Sequence, residues 1–189
     1  MKLGLYFDLR NPEPWARPWP EVYRRALDLV VEAERLGAAS VWFSEHHLFA
    51  DGYLPQPLTF AAAAAARTSH VRIGTAVLLA ALRPAALVAE EVAVIDQLSN
   101  GRLELGIGAG YSVPEYELYN TDITKRYGLT DAAVAEIRRL LDDGIVTPPA
   151  AQNPFPIWLG YQGPQGAKRA GRLGVGLLSL DRALLEPYC

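Results

Sequence analysis

The stretch Arg83–Ile107, "RPAALVAEEVAVIDQLSNGRLELGI", holds a complete helix–turn–strand unit, and its period decides the fold class. Pro84 stands where a helix can begin, because its missing N–H would be unpaired there anyway. Val88, Val92 and Ile95 recur at helical spacing, with Glu90 and Glu91 towards the positive N-terminal end. Ser99-Asn100-Gly101-Arg102 then turns the chain into a short apolar strand, Leu103 to Ile107.

The same alternation runs outward in both directions. Towards the N-terminus, strands are expected at Lys2–Phe7, Ser40–Ser44 and Val71–Leu79. A Pro- and Trp-rich loop (Asn11 to Pro20) precedes a first helix whose stripe is Val22, Ala26, Leu29, Ala33 and Leu36, stopped by Gly37. Leu58 to Ser69 is an alanine-rich helix. Towards the C-terminus come a long polar loop, a helix over Leu129–Leu141, a strand over Phe155–Gly160, the helix "GPQGAKRAGRLG" and a strand over Val175–Leu180. Strand starts lie roughly 30–40 residues apart, the spacing of βαβ units with parallel strands. Short apolar strands buried on both faces suit a (β/α)8 barrel or a doubly wound sheet. Six such units are visible, whereas eight would need about 250 residues.

Composition narrows the function classes. A chain of 189 residues, half of them apolar, is ordinary for a globular protein and reads as one domain over 1–189. The net charge of −3 leaves no basic surplus for nucleic acid or an anionic membrane. The single cysteine, Cys189, allows no intrachain disulfide and no cysteine-based metal site, which fits a cytoplasmic location. The start "MKLGLYFD" is no signal peptide, and the longest apolar run, Phe60 to Ala66, falls well short of a membrane span.

Three motifs carry chemistry. Glu45-His46-His47 follows the second strand, at the end where parallel folds place their sites. Successive residues on a strand alternate faces, so the two histidines do not share a metal, and no metal site is expected. An imidazole beside Glu45 can donate or accept a proton near neutrality; a structural histidine bonded to a neighbouring loop is the other reading. "LGIGAGY" fails the dinucleotide pattern at its third glycine, where Tyr111 stands. Its glycines let backbone approach a flat ligand or shape the strand exit. In "WLGYQGPQGAKRAGRLG" a glycine loop leads into a helix carrying Lys168 and Arg169, whose N-terminus offers either an anion site or an ordinary turn.

Taken in order, "GLYFD", "AERLGAASVWFSEHH", "TSHVRIGTAVLL", "RPAALVAEEVAVIDQLSNGRLELGIGAGY" and "PFPIWLGYQGPQGAKRAGRLGVGLLS" resemble the bacterial luciferase-like monooxygenase superfamily nearly end to end. One departure is Arg83, where that family often has histidine. The resemblance implies a TIM barrel holding reduced FMN, or alternatively the deazaflavin F420, at the C-terminal mouth. It implies that the flavin ring lies near Ser44, Thr75, Ala76, Val77, Gly106, Gly108 and Gly110, with the phosphate held by Gly160, Tyr161, Gln162, Gly163 and Gly166. Thr75 to Val77 matches the place where members carry a non-proline cis peptide. His46 or His47 corresponds to the catalytic histidine, with His46 preferred and Glu45 orienting the loop. Asp8, Trp15 and Tyr111 are expected to wall the substrate pocket. A monooxygenase with a small organic substrate, a separate flavin reductase and a homodimeric state is the first reading implied. An F420-dependent dehydrogenase or reductase is the second, and a non-catalytic flavin-binding protein the third. The short connection near 144–154 and the absence of strands 7 and 8 point to part of a longer barrel, with a naturally shortened barrel like the family's small flavin-binding relatives as the alternative.

Overall fold

The computed structural model describes residues 2–179 and 181–189. Strands and helices alternate as β1 (Gly4–Phe7), α1 (Trp19–Arg35), β2 (Ser40–Phe43), α2 (Pro57–Arg67), β3 (Arg72–Thr75), α3 (Ala85–Ser99) and β4 (Leu103–Ile107). They continue as α4 (Val113–Leu118), α5 (Arg126–Asp142), β5 (Ile157–Leu159), α6 (Gly163–Leu173), β6 (Gly176–Leu177) and α7 (Leu185–Tyr188). All neighbouring strands are parallel, and their spatial order is β1-β2-β3-β4-β5-β6, the order of the chain.

That order decides between the two architectures open to the sequence. Right-handed crossovers that always step in one direction put every helix on one face of the sheet. A doubly wound sheet reverses direction and covers both faces. The chain is therefore built as an arc of the (β/α)-barrel type, with β1 and β6 as its edges.

Side chains alternate accordingly. On the helix-facing side Phe7 meets Phe43, and Phe43 meets Phe60 of α2 edge-on at 5.0 Å. Val41, Phe43, Ile73, Leu103, Leu105 and Ile107 are fully buried there or in the sheet, each worth about 1.5–3 kcal/mol. On the inner side bulk alternates with none: Gly74 lies under the Trp42 ring, and Gly176 under that of Trp158. A Cβ at either glycine would overlap the indole, so the rings fill the interior of the arc.

The structure corrects several boundaries. The strand expected over Val71–Leu79 ends at Thr75; the Ala76–Val77 peptide is cis, and Ala80–Leu82 is a single 3-10 turn. Leu78 still rejoins β4, its N–H donating to Gly106 O and its carbonyl accepting from Gly108 N–H. The last strand is only Gly176–Leu177, and Leu180 lies outside the described residues. In α1 the buried stripe is Ala26, Val30 and Ala33, while Leu29 and Leu36 are exposed. The "long polar loop" contains α4, and α5 starts three residues before Leu129.

Candidate active site

Register brings Phe7, Phe43 and Thr75 to one level, and likewise Ile107 and Leu159, so the segments after these strands leave from one end of the sheet. They surround a hollow of about 310 Å³. Ser44, Glu45 and His46 line it after β2, and Ala76, Val77 and Leu79 after β3. Gly108, Ala109, Gly110 and Tyr111 follow β4; Gly160, Tyr161 and Gln162 follow β5; Tyr6 and Tyr127 complete the wall.

The two adjacent histidines part company here. His46 lines the hollow, and its Nδ1 lies 2.9 Å from Glu115 Oε1. That oxygen also accepts the His47 backbone N–H at 2.7 Å, so it acts as an acceptor and Nδ1 carries the proton between them. Nε2 of His46 has no protein partner among the described residues, which leaves it the nitrogen able to exchange a proton with a ligand. Glu115 is fully buried, and its second oxygen, Oε2, has no partner among the described residues.

His47 turns away from the hollow into a buried network. Its Nε2 lies 2.8 Å from Glu45 Oε1, which also accepts from Arg83 Nη2 at 2.6 Å. Glu45 Oε2 accepts the Leu79 N–H at 3.0 Å, and the Tyr119 hydroxyl approaches His47 Nδ1 at 3.5 Å. Glu45, Arg83 and His47 side chains are almost wholly out of solvent. A carboxylate so placed must be neutralised and hydrogen-bonded, and Arg83 supplies the charge. In the sequence Arg83 stands out only as a departure from the family's usual histidine; the structure makes it the clamp between the β2 and β3 exits.

Other residues singled out in the sequence are distributed as follows. Thr75 is buried beneath the floor, its Oγ1 donating to Gly106 O at 2.7 Å, and neither residue lines the hollow. Gly163 and Gly166 belong to the first turn of α6: Gly163 adopts φ +68° with open space around it, and Gly166 packs on Tyr161. Asp8 and Trp15 do not reach the hollow with His46. They line a second depression of about 380 Å³ beside α1, which shares only Tyr6 with the first. The reason is local: Asn11 bonds both the N–H and the carbonyl of Arg17 at 2.8 Å and folds the β1–α1 loop outward.

At the far end of the hollow, α6 begins at Gln162 with no side-chain cap, so first-turn amides are available to an anion. Arg169 is not free to help directly; it is paired with Asp131 and lies over the Tyr127 ring. Burial pushes the Tyr161 hydroxyl pKa up, and that group also bonds Asp131 at 3.0 Å.

Sequence reasoning missed Glu115, Tyr119 and the role of Arg83. A signal for Glu115 existed: Ser112-Val113-Pro114-Glu115 has the S-x-x-E spacing of a helix start with an early proline. Its carboxylate serves His46 and His47 instead of the α4 N-terminus. Among the described residues no group of three or more His, Cys, Asp or Glu could hold a metal ion, and no helix is long and apolar enough to cross a membrane.

The fold and the gathering of polar chemistry at the strand ends are those of a (β/α)-barrel protein. The chain belongs to the luciferase-like monooxygenase family, whose model matches residues 1–186. It is 31% identical over 187 residues to an F420-dependent glucose-6-phosphate dehydrogenase of Amycolatopsis mediterranei, covering 87% of this chain and 56% of that protein. The monooxygenase RslO1 from Streptomyces bottropensis superposes with a TM-score of 0.89 at 28% identity, over 100% of this chain and 64% of its own. The oxygenating constituent of 3,6-diketocamphane monooxygenase from Pseudomonas putida, solved with FMN, gives 0.78 at 20% identity over 94% and 56%, a likeness of fold. The chain spans about half the length of the curated relatives it matches.

Proposed function

We propose that this site serves flavin-dependent oxidoreduction, with reduced FMN as cofactor and a small organic molecule as monooxygenation substrate. The observation that carries the reading is the His46–Glu115 pair, set in a glycine-lined hollow that ends at the uncapped start of α6. The residues present fit such a group. Gly108, Gly110 and Gly160 offer backbone walls to a flat ring, and the amides after Gln162 suit its phosphate. FMN, when bound, would supply the electrons with which O2 is activated.

The protein's own tasks are then separable. Glu115 holds the His46 ring and fixes which nitrogen faces the ligand, leaving Nε2 to take or return a proton. Arg83, Glu45 and His47 hold the loop that carries His46 and keep its underside dry. Tyr6, Tyr127 and Tyr161 limit the access of water from the sides. A separate flavin reductase and a second copy of the chain belong to the same reading. The relative named for F420 supports a second reading, an F420-dependent dehydrogenase, in which Nε2 would accept the proton of a substrate hydroxyl.

The test is to add FMN and F420 separately and follow absorbance and fluorescence. One of them should bind at micromolar concentration, and His46→Ala should keep that binding while slowing product formation about 10²–10⁴-fold. If neither cofactor binds, the reading fails; if one binds and His46→Ala leaves turnover unchanged, His46 is not the acid/base group.

A further inference from the structure

We infer that the rim beside His46 is a subsite for a neutral, apolar, ring-bearing molecule carrying a hydroxyl group. Calling that molecule the substrate rests on the flavin reading above; the chemistry of the subsite does not. Three aromatic rings surround the imidazole: Phe49 at 4.9 Å, Tyr53 edge-on at 4.7 Å and Tyr111 edge-on at 5.4 Å between centroids. Phe49 and Tyr53 also meet each other at 5.1 Å. Such a cluster would close over itself if its purpose were packing, yet Tyr111 is 69% exposed and Phe49 37%. Aromatic faces left open at the edge of a hollow are what an apolar ligand covers.

The electrostatics select the occupant's charge. Arg10 is paired with Asp51 and lies over the Tyr53 ring at 5.3 Å. Glu45 is neutralised by Arg83, and Glu115 is engaged by His46. Among the described residues, no Lys or Arg lines the hollow. An anionic ligand pressed against this wall would lose its hydration without gaining a counter-charge, a larger penalty than ring stacking returns. A neutral molecule loses little hydration, covers the open rings, and can donate its hydroxyl proton to His46 Nε2.

The test compares 4-tert-butylcyclohexanol with its phosphate monoester, by titration calorimetry on the intact chain with inorganic phosphate present to fill the start of α6. The alcohol should bind at least about tenfold more tightly than the ester. Tyr111→Ala and Phe49→Ala should each weaken the alcohol about fivefold, whereas Tyr111→Phe should retain it, since the ring rather than the hydroxyl makes the contact. Both positions are partly exposed, and an unchanged melting curve identifies variants that remain folded. Binding of the ester as tightly as the alcohol overturns the inference. So does unaltered alcohol affinity in the folded alanine variants, or a loss in Tyr111→Phe as large as in Tyr111→Ala. FMN and F420 fluorescence titrations on the same samples separate the two claims. Preference for the alcohol without binding of either cofactor leaves the subsite standing and removes the flavin reading, and cofactor binding without the preference does the reverse.

Discussion

The two ends of the sheet both bury charge, but they use it differently. At the foot, Arg102 directs its guanidinium to five acceptors: Ser99 O, Thr68 Oγ1, Val71 O, Ala65 O and Thr68 O, at 2.6–3.2 Å. Asp96 accepts the backbone N–H and side-chain amide of Gln152, pinning the short 144–154 connection to α3. Glu34 accepts the backbone N–H groups of Ser69, His70 and Val71. At the mouth, by contrast, Glu115 Oε2 and Arg83 Nε are buried with no partner among the described residues, and His46 lines the hollow with its Nε2 unpaired there. Polar groups that exhaust their bonding within the protein hold the fold, whereas His46, which lines the hollow, keeps one nitrogen for a ligand.

The largest expected effect falls at the mouth and on rate alone. His46→Ala should cost about 10²–10⁴ in product formation with a melting temperature close to wild type, read by steady-state assay beside a thermal scan. Next comes the foot. Arg102→Ala should destabilise the chain by about 2–4 kcal/mol in a denaturant titration, because five acceptors lose their donor in a buried site, with cofactor affinity unchanged in the folded fraction. Equal loss of stability in both variants would erase the distinction between the ends.

Glu115→Gln sharpens it: the amide keeps the shape but not the charge that orients His46. Product formation should fall about tenfold with cofactor binding retained, and the pH profile of turnover should move with it. The smallest effect is in acid. Desolvation raises the Glu34 pKa, but the bonds from Val71, His70 and Ser69 outweigh it and hold the group below its usual value of 4.5. A depressed carboxylate pKa adds stability that is full above that ordinary value and is lost as pH falls through the folded one. Denaturation midpoints should therefore drop below about pH 4.5, and Glu34→Gln should flatten that limb. In alkali the sign reverses for Tyr116, whose pKa burial pushes up to about 12. Its contribution is full below 10 and fades as pH rises towards 12, a fall that Tyr116→Phe should remove.

Much of the framework was legible because it is local. Helix starts at Pro84 and near Pro164, the stop at Gly37 and the turn at Asn100-Gly101 follow from backbone preferences of those residues. The consecutive strand order needed coordinates, since periodicity alone suits either barrel or doubly wound sheet. Strand 3 was overextended because Val71–Leu79 is mostly apolar, and hydrophobicity does not reveal where a chain leaves one neighbour and rejoins another at Leu78. The different orientations of His46 and His47 were expected from strand alternation. In the structure the strand has already ended at Phe43, and two carboxylates, Glu115 and Glu45, draw the rings apart. One of those carboxylates lies 69 residues away from His46, a distance that no local pattern bridges. Trp15 was misplaced for a similar reason, because Asn11 and Arg17 set the direction of its loop.

The most direct test of the central claim, that the mouth is a flavin-type cofactor site, is the melting temperature of the chain with FMN or F420 at about a hundred times the dissociation constant. Binding to the folded state alone should add about 2.7 kcal/mol, which corresponds to a rise of roughly 5–10 °C for a chain of this size. A rise with one of the two cofactors, kept in His46→Ala, is the expected result. No rise with either, at concentrations up to the millimolar range, would contradict it.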